Sequence, residues 1–163
     1  MKYTKPITYT LFAAANFFAA EVMACTISAK TTDQQATNIE PVKGHWLLIQ
    51  AWTLDCIECE RQKPDLSKLN SEYSNFTAIT LSLDGASNMN EIKSRIQSKN
   101  YSMNNYVSNI PSFREQMSTC FNKPFVGTPT YILYSPKSEV MAVKTGPIDL
   151  AAIPNQLNLT PVN

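Results

Sequence analysis

Trp52-Thr53-Leu54-Asp55-Cys56-Ile57-Glu58-Cys59-Glu60-Arg61-Gln62-Lys63-Pro64 is the stretch on which the fold turns. It holds two cysteines separated by two residues. The apolar run Trp46-Leu47-Leu48-Ile49 precedes it, and Leu66, Leu69 and Tyr73 follow at helical spacing. Two thiols so spaced can close a small disulfide ring at the first turn of a helix. There the backbone N–H groups and the helix dipole stabilise a thiolate. That arrangement suits thiol–disulfide exchange.

Working outward, Trp46 to Trp52 reads as a strand buried on both faces, and Asp55 to Tyr73 as the first helix. Pro64 lies inside that helix and should kink it, since proline removes one ladder bond. Phe76 to Leu83 reads as a second strand, so strand, helix and strand imply a right-handed parallel crossover. Met89 to Lys99 is a second helix, and Tyr101 to Val107 a short strand or a loop. Ser112 to Phe121 is a third helix, with Ser112 as cap and Glu115 completing a capping box. Tyr131 to Tyr134 and Glu139 to Lys144 make a hairpin around Ser135-Pro136-Lys137-Ser138. Ile148 to Leu157 is a last short helix interrupted by Pro154.

At 163 residues the chain suits one domain with a real core, and no internal repeat divides it. Lys2 and Lys5 precede the apolar stretch Ile7 to Ala20, and small residues end at Val22-Met23-Ala24-Cys25. Residues 1–24 therefore read as a secretory signal peptide. Cleavage after Ala24 is one option. The other is a lipobox, with Cys25 as the lipidation candidate and a lipid anchor to the membrane. Either product leaves the cytoplasm, where disulfide chemistry is possible. Residues 25–40, rich in Thr, Gln, Ser and Ala without an apolar period, read as a flexible tether. The folded domain is then residues 41–163.

The net charge is +1, and removing residues 1–24 with Lys2, Lys5 and Glu21 balances it. No clustered basic face supports nucleic-acid binding. Zinc needs about four N or S ligands, and only Cys120 and His45 remain beside the pair. Haem attachment would need His where Glu60 stands. Cys120 reads as a small buried hydrophobe, or else as a partner of Cys25 or of another chain.

Four features together resemble the thioredoxin fold, and within it the TlpA/ResA-like branch of bacterial extracytoplasmic thiol–disulfide oxidoreductases. A buried strand ends in Trp52, Cys56 and Cys59 open a helix, Pro64 follows five residues after Cys59, and Gly127-Thr128-Pro129-Thr130 precedes a hairpin. The resemblance covers roughly Pro41 to Leu157. It implies an α/β fold, with a central mixed β-sheet flanked by helices and a TlpA-type insertion, Gly85 to Val126, between the second strand and a cis-proline loop. It implies Cys56 as nucleophile, Cys59 as resolving thiol, a cis Thr128–Pro129 bond, and Thr128, Pro129 and Trp52 as substrate contacts. No cofactor or metal is implied. The periplasm is the expected location, a protein disulfide the substrate, and a membrane protein of DsbD or CcdA type the electron donor.

Three positions depart from that pattern. Asp55 replaces the usual Trp before Cys56, Gln62 a common Glu, and Gln50 the usual Asp or Asn. Amides do not titrate in this range, so Glu58, Glu60, Asp55 or water would have to move protons, with Gln62 placed to assist. The three acids oppose the helix dipole and keep the Cys56 pKa from falling very low. That favours a reductase or mild exchanger over a strong oxidant. The competing reading is a non-catalytic lipoprotein that uses Cys56–Cys59 as a staple. A peroxiredoxin lacks its proline, since Ile49 holds the position. A cytochrome-c-maturation reductase usually has Glu where Thr130 stands. A copper-handling Sco-like protein needs a metal-binding His at the site, and His45 lies before the strand.

Overall fold

A computed structural model describes residues 25–162; the segment read as a signal peptide, residues 1–24, lies outside them. The centre is β3 (Trp46–Trp52), which alternates between two cores. Leu47, Ile49 and Ala51 face one and Leu48 the other, so the strand is buried on both sides as its apolar run requires. It pairs in parallel with β4 (Phe76–Ser82) and antiparallel with β6 (Thr130–Tyr134). Helix α1 (Ile57–Glu72) makes the β3–β4 crossover and buries Leu66 and Leu69, the predicted apolar face.

Beyond β4 come α2 (Met89–Gln97), β5 (Asn104–Val107) and α3 (Ile110–Phe121). The open reading of Tyr101 to Val107 is thus settled: β5 is a strand, parallel to β4. The α3 cap is Asn109 rather than Ser112. Its side-chain oxygen accepts the Ser112 N–H at 2.9 Å, and Pro111 occupies the first turn, where its missing donor costs nothing. After β6 the chain turns into β7 (Val140–Thr145), then a 3₁₀ turn and α4 (Ile153–Leu157), which carries Pro154 in its first turn.

The tether reading of residues 25–40 is corrected. Ile27–Thr31 forms β1 and Ala36–Ile39 forms β2, an antiparallel hairpin. β1 also pairs antiparallel with β5, giving a seven-stranded mixed sheet in the order β2-β1-β5-β4-β3-β6-β7. Ile27, Ala29 and Ile39 enter the core on alternate positions, while Ser28 and Lys30 face solvent. Three apolar anchors scattered through this mostly polar stretch are too few to show a period. The strand that receives the hairpin is distant in sequence: Lys30 and Thr31 pair with Val107 and Tyr106 of β5.

Candidate functional site

Cys56 is the N-cap of α1. Its sulfur accepts the Cys59 N–H at 3.2 Å, and its N–H donates to the Thr53 carbonyl at 3.1 Å. The sulfur therefore takes one of the orphan donors at the helix start, the place where a thiolate is favoured. Cys56 and Cys59 form a disulfide with Cα atoms 5.3 Å apart. Cys56 is 9% exposed and Cys59 fully buried, so only Cys56 can meet a partner molecule.

The loop before the pair is clamped at one residue, Leu54. The Leu54 N–H donates to the Asp84 carboxylate, at 3.0 and 3.2 Å to its two oxygens, and Arg95 donates to the Leu54 carbonyl at 3.4 Å. Ser82 Oγ donates to Asp84 at 2.8 Å, fixing the carboxylate. Gly85 follows at φ +82, where an L side chain would be strained. Asp84→Ala should cost about 1–3 kcal/mol by leaving the Leu54 N–H unpaired, and Asp84→Asn distinctly less; urea midpoints check both.

The Thr128–Pro129 peptide is cis, and Pro129 is buried. Thr128 Oγ1 lies 3.1 Å from Thr53 Oγ1, which ties this loop to the one carrying Cys56. The structure thus brings together Cys56, Cys59, Thr128 and Pro129. Trp52 is corrected: it is fully buried, so it backs the disulfide and cannot touch a substrate.

The proton-transfer candidates fare differently. Glu58 sits on the outer face and pairs with Arg61 at 3.0 Å. Gln62 is held in a chain of bonds. Gln50 Nε2 donates to Tyr131 Oη at 2.7 Å, Tyr131 donates to Gln62 Oε1 at 2.6 Å, and Gln62 Nε2 donates to the Ile148 carbonyl at 2.6 Å. Burial pushes Tyr131 up to about 12, so it stays a neutral donor near pH 7. Gln50 Nε2 also reaches the Cys59 carbonyl at 3.5 Å. Among the described residues, Gln50 Oε1 and Trp52 Nε1 are buried without a partner.

Lys63, Asp84, Arg95 and Tyr131 are site residues the sequence reading did not single out. Lys63 had a visible signal, since Cys59, Lys63 and Leu66 fall on one helical stripe. Only 2% exposed, it pairs with Glu60 and lies 3.0 Å from the centre of the Trp52 ring. Burial lowers its pKa to about 8 against the pull of Glu60. Between about pH 8 and the ordinary value of 10.5 the unfolded chain holds a proton that the folded chain does not, so stability rises with pH there.

Cys120 is not free but bonded to Cys25, with Cα atoms 5.5 Å apart. Of the two readings of Cys120, a small buried hydrophobe and a partner of Cys25, the structure shows the second, and this disulfide and lipidation of Cys25 exclude one another. A sulfur in a disulfide has no valence for a lipid thioether. Tyr134 Oη donates to the Cys25 carbonyl at 2.7 Å and holds the same end down.

The sequence matches no protein-family model and no curated protein. The structure is similar to that of a thioredoxin-family thiol:disulfide interchange protein from Chlorobium tepidum, with TM-score 0.66 and 16% identity over 83% of this chain and 92% of that one. It is similar to an exposed lipoprotein thioredoxin of Streptococcus pneumoniae, with TM-score 0.64 and 15% identity over 82% and 98%. StoA of Bacillus subtilis gives TM-score 0.58 and 19% identity over 81% and 96%. The seven-stranded mixed sheet, the disulfide at the start of α1 and these likenesses agree: the chain has the thioredoxin-like fold of bacterial thiol:disulfide interchange proteins.

Proposed function

We propose that this protein is an extracytoplasmic thiol–disulfide oxidoreductase, a reductase or mild exchanger of protein disulfides acting through Cys56 and Cys59. The observation that carries the reading is the position of Cys56. It caps a helix N-terminus, is the one thiol of the pair that reaches the surface, and lies on a loop tied to Thr128-Pro129. The Thr128 backbone can then pair with an extended substrate segment by strand addition. The basic and apolar start of the sequence supports export. The Cys25–Cys120 disulfide favours a soluble periplasmic form over a lipid anchor.

The chemistry balances as follows. The Cys56 thiolate attacks one sulfur of the substrate disulfide, and the other leaves as a thiolate that takes a proton. Cys59, deprotonated, attacks Cys56 Sγ; the Cys56–Cys59 bond forms and the second substrate thiolate departs. Two electrons and two protons pass to the substrate. A dithiol on a membrane electron donor, of DsbD or CcdA type, then restores the pair. The purified domain should reduce insulin with dithiothreitol as donor, and Cys59→Ser should accumulate a mixed disulfide that Cys56→Ser cannot form. No reduction and no trapped adduct would leave the staple reading instead.

A further inference from the structure

Neither the amides nor the outer acids around the pair offer Cys59 a buried proton acceptor. Gln50 and Gln62 are amides engaged with Tyr131, Glu58 is outside with Arg61, and Asp55 is exposed. The buried ionisable side chain beside the pair is a cation. Lys63 stands four residues after Cys59, one turn along the same face of α1 and about 6 Å in rise. Both residues pack on Trp52: Cys59 in the cluster around that indole, Lys63 with its Nζ over the ring. Both are removed from water, Cys59 completely and Lys63 to 2% exposure.

We propose that Lys63 is the proton partner of Cys59, so that the pair shares one proton and passes between amine with thiol and ammonium with thiolate. This rests on the exchange reading above and adds the group that serves its resolving step. In that step the Cys59 proton moves to the Lys63 amine. The thiolate attacks Cys56 Sγ, the substrate sulfur leaves with the electron pair of the broken bond, and the ammonium later returns its proton to solvent. Lys63 touches no substrate but takes the proton of the attacking sulfur, so its role is that of a general base in the resolving step. Its lowered pKa keeps an appreciable amine fraction near neutral pH.

The surrounding charges set how strong this coupling is. Glu60 on α1 pairs with Lys63 but is itself 21% exposed at its side chain, on the wetter side of the ammonium. Asp84, after β4, also draws the proton toward Lys63 but is spent on Leu54 and Ser82. Arg95 on α2 opposes it and is turned to Leu54 and Glu91. Lys63 is the innermost charge of the group, and across a dry helical turn a cation favours the thiolate strongly.

The test is a thiolate titration by ultraviolet absorbance in Cys56→Ser, where Cys59 is the remaining thiol of the pair. Adding Lys63→Met should raise the Cys59 pKa by about one pH unit or more, and Lys63→Arg should leave it low because the charge stays. Equal Cys59 titration in all three proteins overturns the proposal. If Lys63→Met does not fold, the native protein decides. Reduction should raise the Lys63 pKa, read by side-chain NMR, because the coupling is reciprocal; an unmoved Lys63 overturns it. Neither readout needs turnover. A dead insulin assay therefore strikes the exchange reading alone, and a flat titration in an active protein strikes Lys63 alone.

Discussion

Cys56→Ser should abolish insulin reduction, by about a thousandfold or more, in a protein that still folds. The serine hydroxyl is not ionised near neutral pH and cannot form a disulfide, so the covalent route is closed rather than slowed. The structure separates this loss from unfolding. Cys56 lies at the rim of its cluster, and its backbone cap bonds to Thr53 and Glu60 survive the change. Serine can also take the Cys59 N–H, since it is a good N-cap. The disulfide it removes closes a ring of only three residues' separation, worth about 2 kcal/mol by loop entropy. A urea midpoint measured beside the insulin rate checks both halves. A rate near wild type would remove Cys56 from the chemistry.

The second large effect is on stability. Replacing Cys25 and Cys120 together by serine should cost about 2–4 kcal/mol, since the bond closes a loop of sequence separation 95 and loop entropy grows with length. The loss should be local first. β1 is held by its pairing to β5 at two positions, by the bond from Ser28 N–H to Gln116 at 2.7 Å, and by this disulfide. Amide exchange should therefore rise in Ile27–Thr31 and Ala36–Ile39 before it rises in β3. A urea midpoint and residue-resolved exchange measure the two effects. The same bond predicts the mature form. Intact mass of the exported protein should show no acyl chains and four fewer hydrogens than the fully reduced chain; a lipidated Cys25 would leave Cys120 without this partner.

Much of the site was legible because it is written in short spacings. The apolar run of β3 matches its observed ends, Trp46 and Trp52, residue for residue. The pair at the helix start, Pro64 within α1 and Thr128-Pro129 before β6 stand where the resemblance placed them. Each depends on local geometry: a strand length, one helical turn, one imide bond. The departures at Gln50 and Gln62 were also visible, but not their use. That the two amides meet on Tyr131 follows from the register that sets Gln50 opposite Tyr131.

The sequence by itself determined the crossover from β3 through α1 to β4, the pair of thiols and the loop that faces them. Periodicity and spacing encode those features within some twenty residues. The tertiary structure decided the rest. It turned the polar residues 25–40 into two strands, because β5 offers β1 a free edge, β1 pairs in turn with β2, and the core takes Ile27 and Ile39. It paired Cys25 with Cys120 and locked Leu54 between Asp84 and Arg95. It buried Lys63 beneath the helix where the sequence shows only one more charged residue. Those outcomes depend on which surfaces meet after the sheet closes, and a charge or a thiol changes its chemistry only when that closure removes it from water.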